Sequence, residues 1–145
     1  MSYSIDVNIL LYASDESNRW QRRASEFVAE CASKSEVLCL TWLTVMSYLR
    51  MATHPRIFDT PLSPTEAAKN VQALLDLPQT RLLSEDDEFW ATYQKVTSGL
   101  PVRGNLVPDA HLAALLLRHG VRTLYTKDRD FRKFDFIDAR DPLDP

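Results

Sequence analysis

Short apolar runs of strand character alternate along the chain with longer stretches whose apolar positions recur at helical spacing. Tyr3 to Val7 predicts a first strand, followed by an apolar stretch to Tyr12 and the polar break Ser14-Asp15-Glu16-Ser17. Trp20, Ala24, Phe27, Val28 and Cys31 then share one face of a helix. Glu36 to Leu40 predicts a second strand, and Thr41 caps a helix running to about Thr53, where His54-Pro55 stops it.

Ser63-Pro64-Thr65-Glu66 is the clearest local signal. Ser63 and Glu66 form a capping box that satisfies two helix-start amides reciprocally, with proline at the first helical position, ahead of Val71, Leu74 and Leu75. Arg81 to Leu83 predicts a third strand, and Glu85 to Val96 a helix carrying Phe89, Trp90 and Tyr93. A loop from Gly99 to Pro108 leads into Asp109, after which Leu112, Ala113, Leu115 and Leu116 make a buried helical face closed by Gly120. Arg122 to Tyr125 is the next strand. This alternation predicts an α/β fold in which helices cover a central, mainly parallel sheet of four to five strands. Ligand sites in such sheets gather beyond the carboxyl ends of the strands.

Composition narrows the class. A chain of 145 residues is expected to form one domain over 1–145, large enough to bury a core without disulfides. Its 45% apolar and 26% charged residues exclude a disordered or fibrous chain. Cys31 and Cys39 lack metal-ligand spacing and lie in packed segments, which argues against a zinc site. The N-terminal apolar run has no basic leader and is too short to span a bilayer, so the expected location is cytoplasmic, with no membrane association. A net charge of −3 gives no average attraction for nucleic acid, although Arg19/Arg22/Arg23 and Lys127/Arg129/Arg132/Lys133 are local basic clusters.

The chemistry-bearing residues are acidic. Asp6 follows the first strand, Asp109 sits in the first turn of a helix, and Asp128 lies just past the strand that closes with Thr126, so parallel topology can bring all three to one sheet edge. Ionised carboxylates ~4 Å apart repel by about 4 kcal/mol per pair at an effective dielectric near 20, and a divalent cation relieves that repulsion. Oxygen-only ligation selects Mg²⁺ or Mn²⁺ over zinc. Such a metal activates water for phosphodiester hydrolysis without a side-chain nucleophile. The chain has no G-x-S-x-G, P-loop, G-x-G-x-x-G or H-E-x-x-H. Each acid alone has a structural explanation: an Asx turn for Asp6, a helix-start acid for Asp109, an N-cap of Arg129 to Phe134 for Asp128. Together they favour a metal site.

His54, His111 and His119 are not spaced as a zinc set. Trp20, Trp42 and Trp90 are expected in the core rather than as base-stacking platforms. Arg50, Arg56, Arg103, Lys127 and Arg129 are candidate phosphate contacts.

Four segments carry a family resemblance: Ser4-Ile-Asp6-Val-Asn8-Ile-Leu-Leu-Tyr12-Ala, Tyr48-Leu-Arg-Met-Ala-Thr-His-Pro55-Arg-Ile-Phe58, Pro108-Asp109-Ala-His-Leu-Ala-Ala114 and Thr126-Lys-Asp128-Arg-Asp130-Phe131. Spanning nearly the whole chain, they resemble the successive motifs of PIN-domain VapC toxins. The resemblance implies a PIN-like three-layer fold and a Mg²⁺- or Mn²⁺-dependent endoribonuclease, the toxin of a VapBC toxin–antitoxin pair. It also implies an RNA substrate, a homodimer, and a cognate VapB-type antitoxin whose tail occupies the active-site groove. By motif matching, Asp6 and Asp109 are the principal metal ligands and Asp128 a further acid of the site. Asn8 positions the first-strand turn, the Thr126 hydroxyl supports a carboxylate or phosphate, and Asp130 rivals Asp128 for the inward place.

The sequence departs from the family pattern at one position: Tyr48 stands before Leu49-Arg50 where the family commonly has glutamate, and no carboxylate occurs from Thr41 to Phe58. Either the remaining acids suffice, or this is a catalytically weakened PIN module that acts by binding RNA or protein. A small phosphatase that uses two aspartates close together after a strand is a third reading, and Asp6-Val-Asn8 lacks its second carboxylate.

Overall fold

The computed structural model describes residues 1–144. Five parallel strands form one sheet in the order β3-β2-β1-β4-β5: β1 (Ser2–Ile5), β2 (Val37–Thr41), β3 (Thr80–Leu83), β4 (Thr123–Tyr125) and β5 (Asp138–Arg140). Helices α1 (Val7–Ser14), α2 (Gln21–Ser33), α3 (Trp42–Ala52), α4 (Pro64–Leu75), α5 (Phe89–Thr97) and α6 (Leu106–Arg118) lie between them, with a 3₁₀ turn at Arg129–Lys133. The expected α/β architecture is observed, with all five strands parallel.

Period-two alternation along the strands creates the layers. Tyr3, Ile5, Leu38 and Leu40 pack with Ile9, Phe27, Cys31, Ala52 and Ala67 on one face. Cys39, Leu83 and Leu124 pack with Ala113, Leu116, Phe131 and Phe134 on the other. Both cysteines are buried and free. Helix α6 is the most deeply sunk: Ala110, Leu112, Ala113, Ala114, Leu115 and Leu116 are all buried, and the small side chains let it approach the sheet closely. Truncating Leu115 or Leu116 to alanine removes about 2–5 kcal/mol, so the helix start is held firmly.

Several boundaries differ from expectation. The first strand ends at Ile5, and Val7 opens α1, because extended Asp6 takes the N-cap position and its carboxylate accepts the Val7 amide at 2.8 Å. Asp86 Oδ1 accepts the Glu88 amide in a turn, which delays α5 to Phe89. Helix α6 begins at Leu106, with Pro108 in its first turn, where a missing N–H costs nothing. The Ser63/Glu66 capping box forms, at 3.0 and 3.1 Å. At Gly120, φ of +72° supplies the left-handed turn that closes α6.

The tryptophans correct a second expectation. Trp42 and Trp90 are 43% and 64% exposed. Trp42 opens α3 beyond the end of β2, and Trp90 stacks on Tyr93 with ring centroids 5.7 Å apart on α5, a helix with no buried residue. Trp20 alone is half-buried against the first-face core.

Candidate active site

The site is built where β1 and β4 end side by side. The Ile5↔Tyr125 register brings Asp6 alongside Thr126, and the Asp6 amide donates to Tyr125 O at 2.9 Å. The Thr126 hydroxyl donates to Asp6 Oδ2 at 2.8 Å and accepts the Asp128 amide at 2.9 Å. Asp128 Oδ1 in turn accepts the Asp130 amide at 2.9 Å, opening the 3₁₀ turn. The capping role expected of Asp128 is therefore real, and it occupies one of the two carboxylate oxygens.

From the first turn of α6, Asp109 faces this turn. One carboxylate oxygen from each of Asp109, Asp128 and Asp130 lies within 4.8 Å of the others. Asp130 thus joins Asp128 instead of excluding it. Asp6 stands outside this tight trio, yet close enough for its charge to act on Asp109. Asn8, the second residue of α1, has a buried Oδ1 with no hydrogen-bond partner among the described residues.

Electrostatics follow from this crowding. Burial first, and then the neighbouring carboxylates of Asp128, Asp6 and Asp130, push Asp109 up to about 7. Burial pushes Asp6 up to about 6 against the opposing bonds from Thr126 and Val7, with Asp128 adding to the rise. Repulsion among the carboxylates is relieved either by such protons or by a bound cation.

Tyr48, expected at the position of a family glutamate, points elsewhere. It is buried, and its hydroxyl bonds to Ser14 at 2.7 Å and accepts from Asn70 at 2.9 Å. Ser14 is the last residue of α1, about 10 Å along the helix axis from the Asp6 end. Tyr48 therefore belongs to the packing of α1, α3 and α4, where it lines an open, mostly apolar cavity of about 390 Å³ that none of the four aspartates touches.

His111, expected as a surface or packing residue, packs on Phe89 with ring centroids 5.1 Å apart. Lys127 carries a long-range arrangement that left no trace in the sequence. It pairs with Asp141 at 2.7 Å and lies 4.0 Å from the centroid of the Trp20 ring. No helix among the described residues is long and apolar enough to cross a membrane.

Comparison with known proteins agrees with this fold. The PIN domain family matches residues 3–137. Ribonuclease VapC48 of Mycobacterium tuberculosis is 38% identical over 143 residues, 99% of either chain. Ribonuclease VapC43 of the same organism is 32% identical over 140 residues, 97% of this chain and 95% of that one. Among solved structures, M. tuberculosis VapC20, described as a toxin that cleaves the sarcin-ricin loop, superposes with a TM-score of 0.70 at 14% identity, covering 96% of this chain and 99% of the other. VapBC-1 from nontypeable Haemophilus influenzae gives a TM-score of 0.67 at 18% identity, covering 98% of each. With the fold, the clustered aspartates and whole-length similarity in agreement, the chain belongs to the PIN domain family, among its VapC ribonucleases.

Proposed function

We propose that this chain is the toxin of a VapBC-type pair, an endoribonuclease that hydrolyses RNA with Mg²⁺ or Mn²⁺ held by Asp6, Asp109 and Asp128. The observation that carries the reading is the convergence of carboxylate oxygens from Asp109, Asp128 and Asp130 within 4.8 Å, next to Asp6. The donor set fits a hard divalent ion: it is oxygen-only, and among the described residues the one cation paired with the trio is Lys133, 3.4 Å from Asp130, while Asn8, two residues after Asp6, keeps a buried acceptor without a partner. Bound there, such an ion supplies an acidified water and neutralises charge on the phosphate.

The protein's own contribution is positioning. Thr126 fixes the Asp6 carboxylate, the Val7 amide fixes its other oxygen, and the Asp128 cap fixes the turn that presents Asp130. Asn8, Thr126 and Asp130 complete the surroundings of the cofactor. Because Tyr48 is spent on Ser14 and Asn70 well away from the acids, its presence gives no reason to favour the weakened binding module.

The same reading includes three partners: an RNA substrate, a VapB-type antitoxin and a second copy of the chain. Toxins of this fold solved as VapBC complexes support the antitoxin. The homodimer is supported by exposed Trp42 and Met46, one turn apart on α3, with Leu82 on edge strand β3 and Trp90 on α5. The reading also includes action in the cytoplasm, where an RNA substrate is available.

Incubating the purified chain with structured RNAs and Mg²⁺ or Mn²⁺, beside Asp6→Asn and Asp109→Asn, tests the central claim. Internal cleavage that either substitution abolishes is the expected result. Tight RNA binding without turnover in the wild type supports the binding module instead.

A further inference from the structure

We propose that Arg19 and Lys127, mounted on Trp20, form a phosphate grip for the RNA strand next to the carboxylate site. The inference rests on the ribonuclease reading above and adds to it the residues that bind the substrate backbone.

Lys127 stands between Thr126 and Asp128 in the chain, so its backbone lies on the rim that carries the acids. A free ammonium in that place is drawn into the carboxylates. Here its one ion pair among the described residues is with Asp141, at 2.7 Å, and its Nζ lies 4.0 Å from the Trp20 centroid. Asp141 is itself fixed, because its other oxygen accepts the Leu143 amide at 2.9 Å and Leu143 is buried in the first-face core. The ammonium is thereby paired with Asp141 and with none of the clustered aspartates. An ammonium has three donors, and the Asp141 bond uses one of them.

Trp20 holds a second cation. The Arg19 guanidinium carbon is 4.5 Å from the centroid of the same ring, and Arg19 is exposed with no ion pair among the described residues. A guanidinium that rests on an aromatic ring keeps its N–H edge available for bidentate binding of a phosphate. The ring is anchored in turn, since the Trp20 amide donates to Asn18 Oδ1 at 2.8 Å and its side chain packs on the first-face core.

A reason for the device lies in the overall charge. A chain of net charge −3 with four clustered aspartates repels a polyanion, so attraction must come from cations placed beside the acids and prevented from collapsing onto them. Lys127, next to Thr126 and Asp128 in the chain and paired with Asp141, and Arg19, on the same Trp20 ring, are the cations that the proposed grip offers to the RNA backbone.

The test measures binding separately from cleavage. Asp6→Asn protein is titrated with a fluorescent single-stranded RNA in Mg²⁺ over a series of KCl concentrations. Arg19→Ala and Lys127→Ala, each added to that background, are expected to weaken binding roughly 3–10-fold at low salt and to flatten the slope of log K against log salt by about 0.7 each. Arg22→Ala is the charge control: it removes the same charge from a side chain 93% exposed and paired with Glu26, and is expected to leave the slope unchanged. Melting curves confirm that each variant is folded. Equal slopes for Arg19→Ala and the parent, or an equal flattening by Arg22→Ala, overturn the grip. If the wild type neither cleaves nor binds RNA, the ribonuclease reading has failed and takes the grip with it, an outcome visible before any of these variants is compared.

Discussion

Thr126 and Asp6, 120 residues apart in sequence, are joined by a 2.8 Å hydrogen bond from hydroxyl to carboxylate, and the same hydroxyl receives the Asp128 amide. One buried side chain therefore orients two of the acids that the proposed chemistry requires. Replacing it with valine, which keeps the shape and deletes both bonds, is expected to cost about 1–3 kcal/mol of stability and to lower RNA cleavage at least tenfold. Thr126→Ser restores most of both, measured by chemical denaturation and by initial cleavage rate. Full activity in the valine variant means that Asp6 is oriented by other contacts.

Asp6 and Asp109 make metal-free stability depend on pH in a definite direction. Both are raised above the unfolded carboxylate value of about 4, Asp6 to about 6 and Asp109 to about 7. The folded state thus retains protons that the unfolded state has already lost, and stability falls as pH rises from about 4 through 7. In EDTA, Asp109→Asn is expected to melt above the wild type at pH 7.5 by a few degrees, with the gap closing near pH 4. Asp109 is only partly buried, so solvent screening limits the effect to about 1–2 kcal/mol. Identical pH profiles for the two proteins contradict the crowding.

Divalent binding and proton loss at these carboxylates are linked. Addition of Mg²⁺ or Mn²⁺ is expected to raise the melting temperature more at pH 8 than at pH 6, reaching about 2.7 kcal/mol at a hundredfold excess over Kd. Asp109→Asn and Asp128→Asn lose most of that gain. A metal-induced shift that survives both substitutions places the ion elsewhere.

Tyr48 is assigned to packing. Tyr48→Phe deprives Ser14 and Asn70 of a partner and is expected to cost about 1 kcal/mol in stability while RNA cleavage stays within twofold of wild type. A collapse of activity in a folded Tyr48→Phe protein returns this residue to the reaction.

The exposed apolar side chains of α3 and α5 carry a prediction about assembly. Wild type is expected to sediment as a dimer, and Met46→Glu or Trp90→Glu as a monomer with an unchanged circular dichroism spectrum. A monomeric wild type removes the homodimer from the proposal.

The positions of Asp6, Asp109 and Asp128 were legible because each adjoins a local signal, namely a strand end, Pro108 and a capped turn, and parallel topology gathers such places at one edge. The choice between Asp128 and Asp130 was not, since two acids separated by one residue diverge on a strand and converge on a tight turn. Helix α1 was obscured because Ile9, Leu10 and Leu11 are all buried, which erases the amphipathic period that marks a helix. Trp42 and Trp90 misled because an apolar side chain meant for a core and one left at the surface read alike. The Asp141–Lys127–Trp20 contacts join three parts of the chain with no motif to announce them.

Strand β1 is translated long before its neighbour β4, which begins only at Thr123, yet it lies at the centre of the sheet. Until the segment from Thr123 to Asp128 is translated, a nascent chain carries Asp6 with neither Thr126 nor Asp128 to complete its surroundings. On the proposed site, a hydrolase directed against RNA is thus kept incomplete while that segment is still to be made, and becomes competent only once β4 and the turn after it have joined β1.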